Sequence, residues 1–276
     1  MVWIRKASGD RAEFDQEKIR STCLKAGATK RLADEVAREV SERVYDGIST
    51  KKILKMTISL LERKMPEVAA KYDLKGAIMR LGPAGYAFES LVAEILREYG
   101  YSTVVHSIVE GGCVEHEIDV VAEKSAKRSM IECKYHNMPG IYTGIKEALY
   151  TYARFLDIGE GAKMGRCRRF DEVWLVCNTK FSPDVLRYAA CKKMRLIGWS
   201  WPKANSLQAM LDEKKMYPIT VLRTLDRESQ ARLSKARLMF CKDLIENDIG
   251  AVMSLTGIPK AKLNELRKEA EEIIRA

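Results

Sequence analysis

Glu117-Ile118-Asp119-Val120-Val121 and, after twelve residues beyond Asp119, Glu132-Cys133-Lys134 decide how this 276-residue chain is read. In both stretches charged side chains interrupt runs of apolar residues, as in strands that end at a site. Residues two apart on a strand project to one face, so Glu132 and Lys134 point together, and a hairpin between the two stretches sets Asp119 beside them. Burying two carboxylates and an ammonium unpaired is costly. A divalent ion between the carboxylates, with the ammonium alongside, removes that cost.

The flanking sequence supplies a layered frame. Before the first stretch, residues 85–99 place Phe88, Val92, Ile95, Leu96 and Tyr99 on one helical face, and Gly100 stops the helix. Strand patterns follow at Ser102–Val109, Val114–Ala122 and Ser129–Lys134, then a helix at Ile141–Asp157, a strand at Glu172–Cys177, a helix at Pro183–Lys193 and a strand at Arg195–Gly198. This order predicts an α/β domain with a mixed central sheet. Gly82-Pro83 marks its upstream boundary.

Upstream, Val2–Ile4 and Ala12–Phe14 predict a β-hairpin turning at Ser8-Gly9. Four helices follow: one capped by Asp15 and ending at Ala26, then Arg31–Tyr45, Ile53–Met65 and Val68–Leu81. Downstream, helices at Arg227–Glu246 and Lys260–Ile274 flank a short helix, with no strand pattern. The predicted fold class is α+β multidomain: a β-hairpin plus four-helix domain over 1–82, an α/β domain over 83–217, and a small C-terminal helical domain over 218–276. Between the last two helices, Leu255-Thr256-Gly257-Ile258-Pro259 looks like a degenerate helix-hairpin-helix, whose turn offers amides to a DNA phosphate; a packing or dimerisation pair fits equally.

Lys and Arg number 48 against 38 Asp and Glu, a net charge of +10 that favours a polyanion, nucleic acid before membrane. The seven cysteines are scattered and form no CxxC pair, which argues against a disulfide framework or a structural zinc site and for thiols in a reducing cytoplasm. No run approaches the roughly 20 apolar residues of a membrane span. His106, His116 and His136 read as satisfied or exposed imidazoles, and His116 faces away from Asp119 on its strand. Lys180, just past a strand end, reads as a phosphate contact or a solvated lysine. No Walker P-loop pattern is present, so ATP hydrolysis is not expected.

The order helix-Glu, strand-Asp, strand-Glu-x-Lys over about Gly82 to Pro202 resembles the PD-(D/E)XK nuclease superfamily. Phe88-Glu89 through Tyr99-Gly100-Tyr101 is similar to the start of Mrr-type and archaeal restriction-endonuclease-like domains. Ile118 stands where that family has proline. The resemblance implies catalytic residues Asp119, Glu132, Lys134 and Glu89. It implies that Mg2+ (or Mn2+) is held by Asp119, Glu132 and the Cys133 backbone carbonyl, with Glu89 binding directly or through water. The implied function is a metal-dependent DNA endonuclease, with a homodimer open on family analogy. The alternative is a nucleotide-sensing DNA-binding regulator with a catalytically inactive nuclease fold.

The N-terminal segment resembles the ATP-cone domain, the adenine-nucleotide module of ribonucleotide reductases. The matching residues are Val2-x-x-Arg5-Lys6, Gly9, Phe14-Asp15, Lys18-Ile19 and Tyr45-Asp46-Gly47-Ile48-x-Thr50. Two hairpin cations and a lysine in a helix's first turn suit a triphosphate. The resemblance implies ATP or dATP as a regulatory ligand, with Lys18 and either Arg5 or Lys6 on phosphates and Thr50 on the nucleotide.

Overall fold

The computed structural model describes residues 2–82 and 85–275, with the backbone alone described for Gly85 and Tyr86. Pro83 of the expected boundary lies outside the described residues. The chain forms two compact units, residues 1–80 with 217–276, and residues 81–216.

In the first unit, β1 (Trp3–Arg5) and β2 (Arg11–Glu13) pair antiparallel with Ile4 opposite Ala12. Gly9, at φ 93°, makes the turn. The helices are α1 (Gln16–Lys25), α2 (Lys30–Ser41), α3 (Thr50–Lys64), α4 (Pro66–Tyr72) and α5 (Leu74–Met79). Side chains of Asp15, Thr29 and Ser49 accept from the first-turn amides of α1, α2 and α3. Ala33, Val36, Ala37 and Val40 of α2 are fully buried, meeting Cys23, Leu61 and Val68. The expected helix from Val68 to Leu81 is two helices broken at Asp73, whose carboxylate takes Arg80 Nη1 at 2.7 Å.

The second unit opens with α6 (Gly85–Glu98) and continues with β3 (Ser102–Glu110), β4 (Glu115–Lys124), β5 (Lys127–Lys134) and β6 (Tyr142–Thr143). Next come α7 (Ile145–Lys163), β7 (Glu172–Cys177), β8 (Lys180–Phe181), α8 (Pro183–Lys192), β9 (Arg195–Ile197) and α9 (Leu207–Glu213). The main sheet has the order β3-β4-β5-β7-β9. Its first three strands run antiparallel, whereas β5, β7 and β9 run parallel. The crossover from β5 to β7 is α7 and that from β7 to β9 is α8, as parallel pairing requires. Met130, Val173, Leu175 and Cys177 form one core with Ala148 and Ile158 of α7 and Val185 and Ala189 of α8. Helix α6 packs on β3, β4 and β5, and its Phe88 ring lies 5.8 Å from that of Tyr135.

The first unit is completed by a 3₁₀ turn (Ile219–Val221), α10 (Arg227–Lys235), α11 (Cys241–Glu246), α12 (Ile249–Thr256) and α13 (Lys260–Arg275). The expected helix from Arg227 to Glu246 is interrupted. Arg237 turns left-handed at φ 59°, and Asp243 accepts the amides of Met239 and Phe240 at 2.8 Å each. Instead of forming a third separate domain, these helices pack with α4 and α5. Thr220 Oγ1 donates to Ala77 O at 2.8 Å, and Gln230 Nε2 to Arg80 O at 2.9 Å. In the turn at Gly257, the amides of Gly257 and Ile258 already donate to Met253 O (2.8 Å) and Thr256 Oγ1 (3.3 Å). Two of the amides that this turn would offer to a phosphate are therefore paired within the chain.

Candidate active site

Both ladders of β4 lapse at Asp119. Against β3 the pairs run Val105↔Val120, then Ser107↔Ile118, and skip the position where His106 faces Asp119. Against β5 the pairing ends at Val120↔Ile131, one step before Asp119 would meet Glu132. His106, Asp119 and Glu132 thus stand in one row across three strands, at the place where the backbones separate. The Asp119 carboxylate takes over the missing ladder partner, accepting from Cys133 N at 2.7 Å. The parallel pairing of β5 with β7 continues through Lys134↔Cys177, which holds Glu132 and Lys134 on a firm strand with their side chains on one face.

Burial raises the carboxyl pKa values here. It pushes Glu132 up to about 7, helped by Asp119 and opposed by the charges of Arg154 and Lys134. Burial likewise pushes Glu89 up to about 7, with Asp119 and Glu117 adding to the rise. Asp119 is also raised by burial, against the pull of the Cys133 amide and of Arg154 and His106. Glu89 Oε2 is buried without a hydrogen-bond partner. His106 Nδ1 lies 3.3 Å from it, in a contact lacking hydrogen-bond geometry. A buried carboxylate oxygen without a hydrogen-bond donor is the kind of donor that a hard divalent cation takes. Glu89 does not join Asp119 and Glu132 in a set whose ligand atoms all lie within 4.8 Å.

Two residues of this site escaped the sequence reading. Arg154, on α7 and 8% exposed, donates Nη1 to Glu132 Oε2 and Nη2 to Glu117 O. His106, expected to be an ordinary satisfied or exposed imidazole, adopts φ 53° and sits 3.3 Å from Glu89 Oε2 and 3.4 Å from Glu117 Oε1. A left-handed backbone costs a non-glycine residue about 1 kcal/mol and persists where surroundings impose it, often at functional sites. His116 and His136 are hydrogen-bonded as expected, to Asp157 (2.7 Å) and Thr143 (3.1 Å). Lys180 is exposed on β8.

The raised carboxyls fix a pH dependence. Between their ordinary value of 4.5 and about 7, the folded chain keeps protons that the unfolded chain has lost. Stability contributed by Glu89 and Glu132 is therefore full below that window, lost as pH rises through it, and flat above. A cation that replaces those protons should stabilise the protein more near about pH 8 than near about pH 5. Thermal unfolding with and without Mn2+ checks this; equal shifts at both pH values would refute it.

In the first unit, the Tyr45–Ser49 segment lies along the hairpin. Gly47 N donates to Trp3 O at 2.7 Å, Trp3 N to Asp46 Oδ1 at 2.9 Å, and Arg5 N to Ile48 O at 2.9 Å, and Arg5 bridges to Ser49. Arg5 and Lys6 are thereby brought to the start of α3, where Thr50 is the first residue. Lys18, in the first turn of α1, is 76% exposed and 3.7 Å from Asp15. A groove of about 750 Å³ is lined by Phe14, Asp15, Lys18 and Arg20, but not by Arg5, Lys6 or Thr50.

Comparison with known proteins fits this architecture. Residues 2–74 match the family described as ATP cone domain, residues 83–199 that described as restriction endonuclease, and residues 217–274 that described as AF1548-like, C-terminal. An uncharacterised protein of Archaeoglobus fulgidus is 44% identical over 183 residues, covering 66% of this chain and 99% of that protein. A second from the same organism is 48% identical over 40 residues, covering 14% of this chain and 85% of that protein. A crystal structure titled as the protein of unknown function AF1548 superposes with TM-score 0.60 and 43% identity, over 70% of this chain and 99% of that one. With its ATP cone, restriction-endonuclease domain and matching C-terminal helices in series, the chain belongs to the AF1548-like family.

Proposed function

We propose that this protein is a Mg2+- or Mn2+-dependent DNA endonuclease whose activity responds to ATP or dATP at its N-terminal module. The observation that supports the reading is the lapse of both β4 ladders at Asp119, whose carboxylate accepts from Cys133 N beside Glu132, with Lys134 two residues on. Asp119 and Glu132, with the Cys133 carbonyl, are the groups that would hold the cation, and Glu89 would bind it directly or through a water. A cation held there would supply Lewis acidity toward a phosphate oxygen and a bound water. Lys134 orients that water and balances charge on the phosphate oxygens. The net charge of +10 favours DNA as the polyanion.

The ion pair between Arg154 and Glu132 favours a second reading, in which the nuclease fold is silent and the protein is a nucleotide-sensing DNA-binding regulator. Incubation of the full chain with supercoiled plasmid and Mg2+ or Mn2+ separates the two. Nicking or linearisation that EDTA abolishes supports the nuclease. Tight binding to DNA with every form left intact supports the regulator.

The nucleotide assignment rests on the ATP-cone match together with the docking of Arg5 and Lys6 at the start of α3. Lys18→Ala is expected to weaken ATP binding about tenfold, the weight of one charge-assisted hydrogen bond of about 1.5 kcal/mol. Calorimetric titration measures it, and an unchanged affinity would remove Lys18 from the phosphate site.

A further inference from the structure

A set of metal-ligating atoms lies at the turn from β3 to β4. Cys113 Sγ and one carboxylate oxygen each from Asp157 and Glu160 fall within 4.8 Å of one another. Asp157 and Glu160 are three apart on α7 and so share a helix face. None of these residues belongs to the row at Asp119.

The turn is shaped around the two carboxylates. Asp157 accepts from Cys113 N at 2.8 Å, Val114 N at 3.4 Å and His116 Nε2 at 2.7 Å. Gly112 N donates to Asp157 O at 2.8 Å. Neither Gly111 nor Gly112 has a left-handed backbone, so conformation alone does not call for glycine. Space does. A Cβ on Gly111 would lie 2.1 Å from Asp157 Oδ2, and one on Gly112 would lie 2.9 Å from Glu160 Cβ and 3.3 Å from Glu160 Oε2. Side chains are absent from this turn where the carboxylates need room.

The donor set is mixed, and its mixture selects the cation. Mg2+ and Ca2+ take oxygen donors. A sulfur among the donors points to Zn2+ and its thiophilic relatives, which accept sulfur, nitrogen and oxygen together. We infer that Cys113, Asp157 and Glu160 bind a thiophilic divalent cation of the Zn2+ class, with His116 holding Asp157 in its ligating orientation. Three protein ligands leave one position of a tetrahedral ion to water. Binding exchanges the thiol proton of Cys113 for the sulfur–metal bond and releases that proton to solvent. One thiolate and two carboxylates exceed the ion's charge by one. Arg166, which donates Nη1 to Gly111 O (3.3 Å) and Gly112 O (2.8 Å) and lies 3.9 Å from Glu110, brings a positive charge to the turn. The bound ion would tie the β3–β4 turn to α7, and the inference stands whether or not the protein cuts DNA.

The test is titration of the full chain with Cd2+ in excess Mg2+, following the ultraviolet sulfur-to-cadmium charge-transfer band. The expected result is a band that saturates at about one equivalent, vanishes in Cys113→Ser, and is retained in Glu132→Gln. Cys113 is exposed, so its exchange for serine leaves the packing intact. His116→Gln is expected to weaken binding about tenfold, as loss of a ligand's supporting hydrogen bond does elsewhere. Absence of a band at stoichiometric Cd2+, or a band that survives Cys113→Ser and so comes from another thiol such as exposed Cys191, overturns the site.

Discussion

Lys134→Ala is expected to slow plasmid cleavage by about 10²–10³-fold at saturating Mn2+, the usual loss when one group that stabilises transition-state charge is removed. Lys134 is fixed by its pairing with Cys177 in β7, so the alanine variant keeps the strand and loses only the ammonium. That ammonium also helps to hold down the Glu132 carboxyl, which burial pushes up to about 7. Its loss therefore makes Glu132 harder to ionise and weakens the cation at neutral pH. Rates measured across a metal titration separate the two effects. A weaker cation is restored by more Mn2+, whereas loss of water orientation and charge balance is not. Asp119→Asn should be more severe, since Asp119 anchors the Cys133 amide and, on the proposed reading, would also hold the cation. Cleavage at the parental rate in both variants would remove these residues from the chemistry.

Asp119, Glu132 and Lys134 were legible in sequence because strand alternation and a hairpin are local rules. The pattern of charged positions in apolar strands showed which strands carry them, and the sheet sets β4 beside β5. Asp15, Gly9 and Gly257 were legible for the same reason, since caps and tight turns act within a few residues. What escaped depends on contacts between distant residues. Arg154 lies 22 residues from Glu132 and 37 from Glu117, its two partners. In sequence it is one basic residue on an amphipathic helix. The ladder lapse at Asp119 and the left-handed His106 are also invisible locally, because the register of three strands creates them. The run from Arg227 to Glu246 has continuous helical periodicity. Its break at Arg237 comes from Asp243 capping Met239 and Phe240, a capping box inside an unbroken apolar pattern. Packing of the C-terminal helices with α4 and α5 joins segments on either side of residues 81–216, a pairing that periodicity does not encode.

The Arg154–Glu132 pair leads to the other large effect. Arg154→Met in the metal-free protein is expected to cost up to about 3–5 kcal/mol of stability at a pH well above 7, where Glu132 is ionised, the penalty for leaving one member of a buried ion pair alone. The pair is well shielded, with side chains 9% and 16% exposed. Removing the guanidinium also strips the Glu117 carbonyl of its donor. Two further measurements identify the cause. In Arg154→Met/Glu132→Gln the buried charge is gone, so most of the loss should be recovered. In the single variant a divalent cation becomes the missing positive partner of Glu132, so Mn2+ should raise its unfolding temperature more than that of the parent chain. Acid should act in the same direction, because a protonated Glu132 no longer needs a partner, and the penalty should shrink as pH falls below about 7. These outcomes would mean that Glu132 exchanges its Arg154 partner for a cation when metal is supplied. If the single and double variants are equally unstable, and neither Mn2+ nor acid narrows the gap to the parent, Arg154 contributes packing alone and the exchange of partners at Glu132 does not occur.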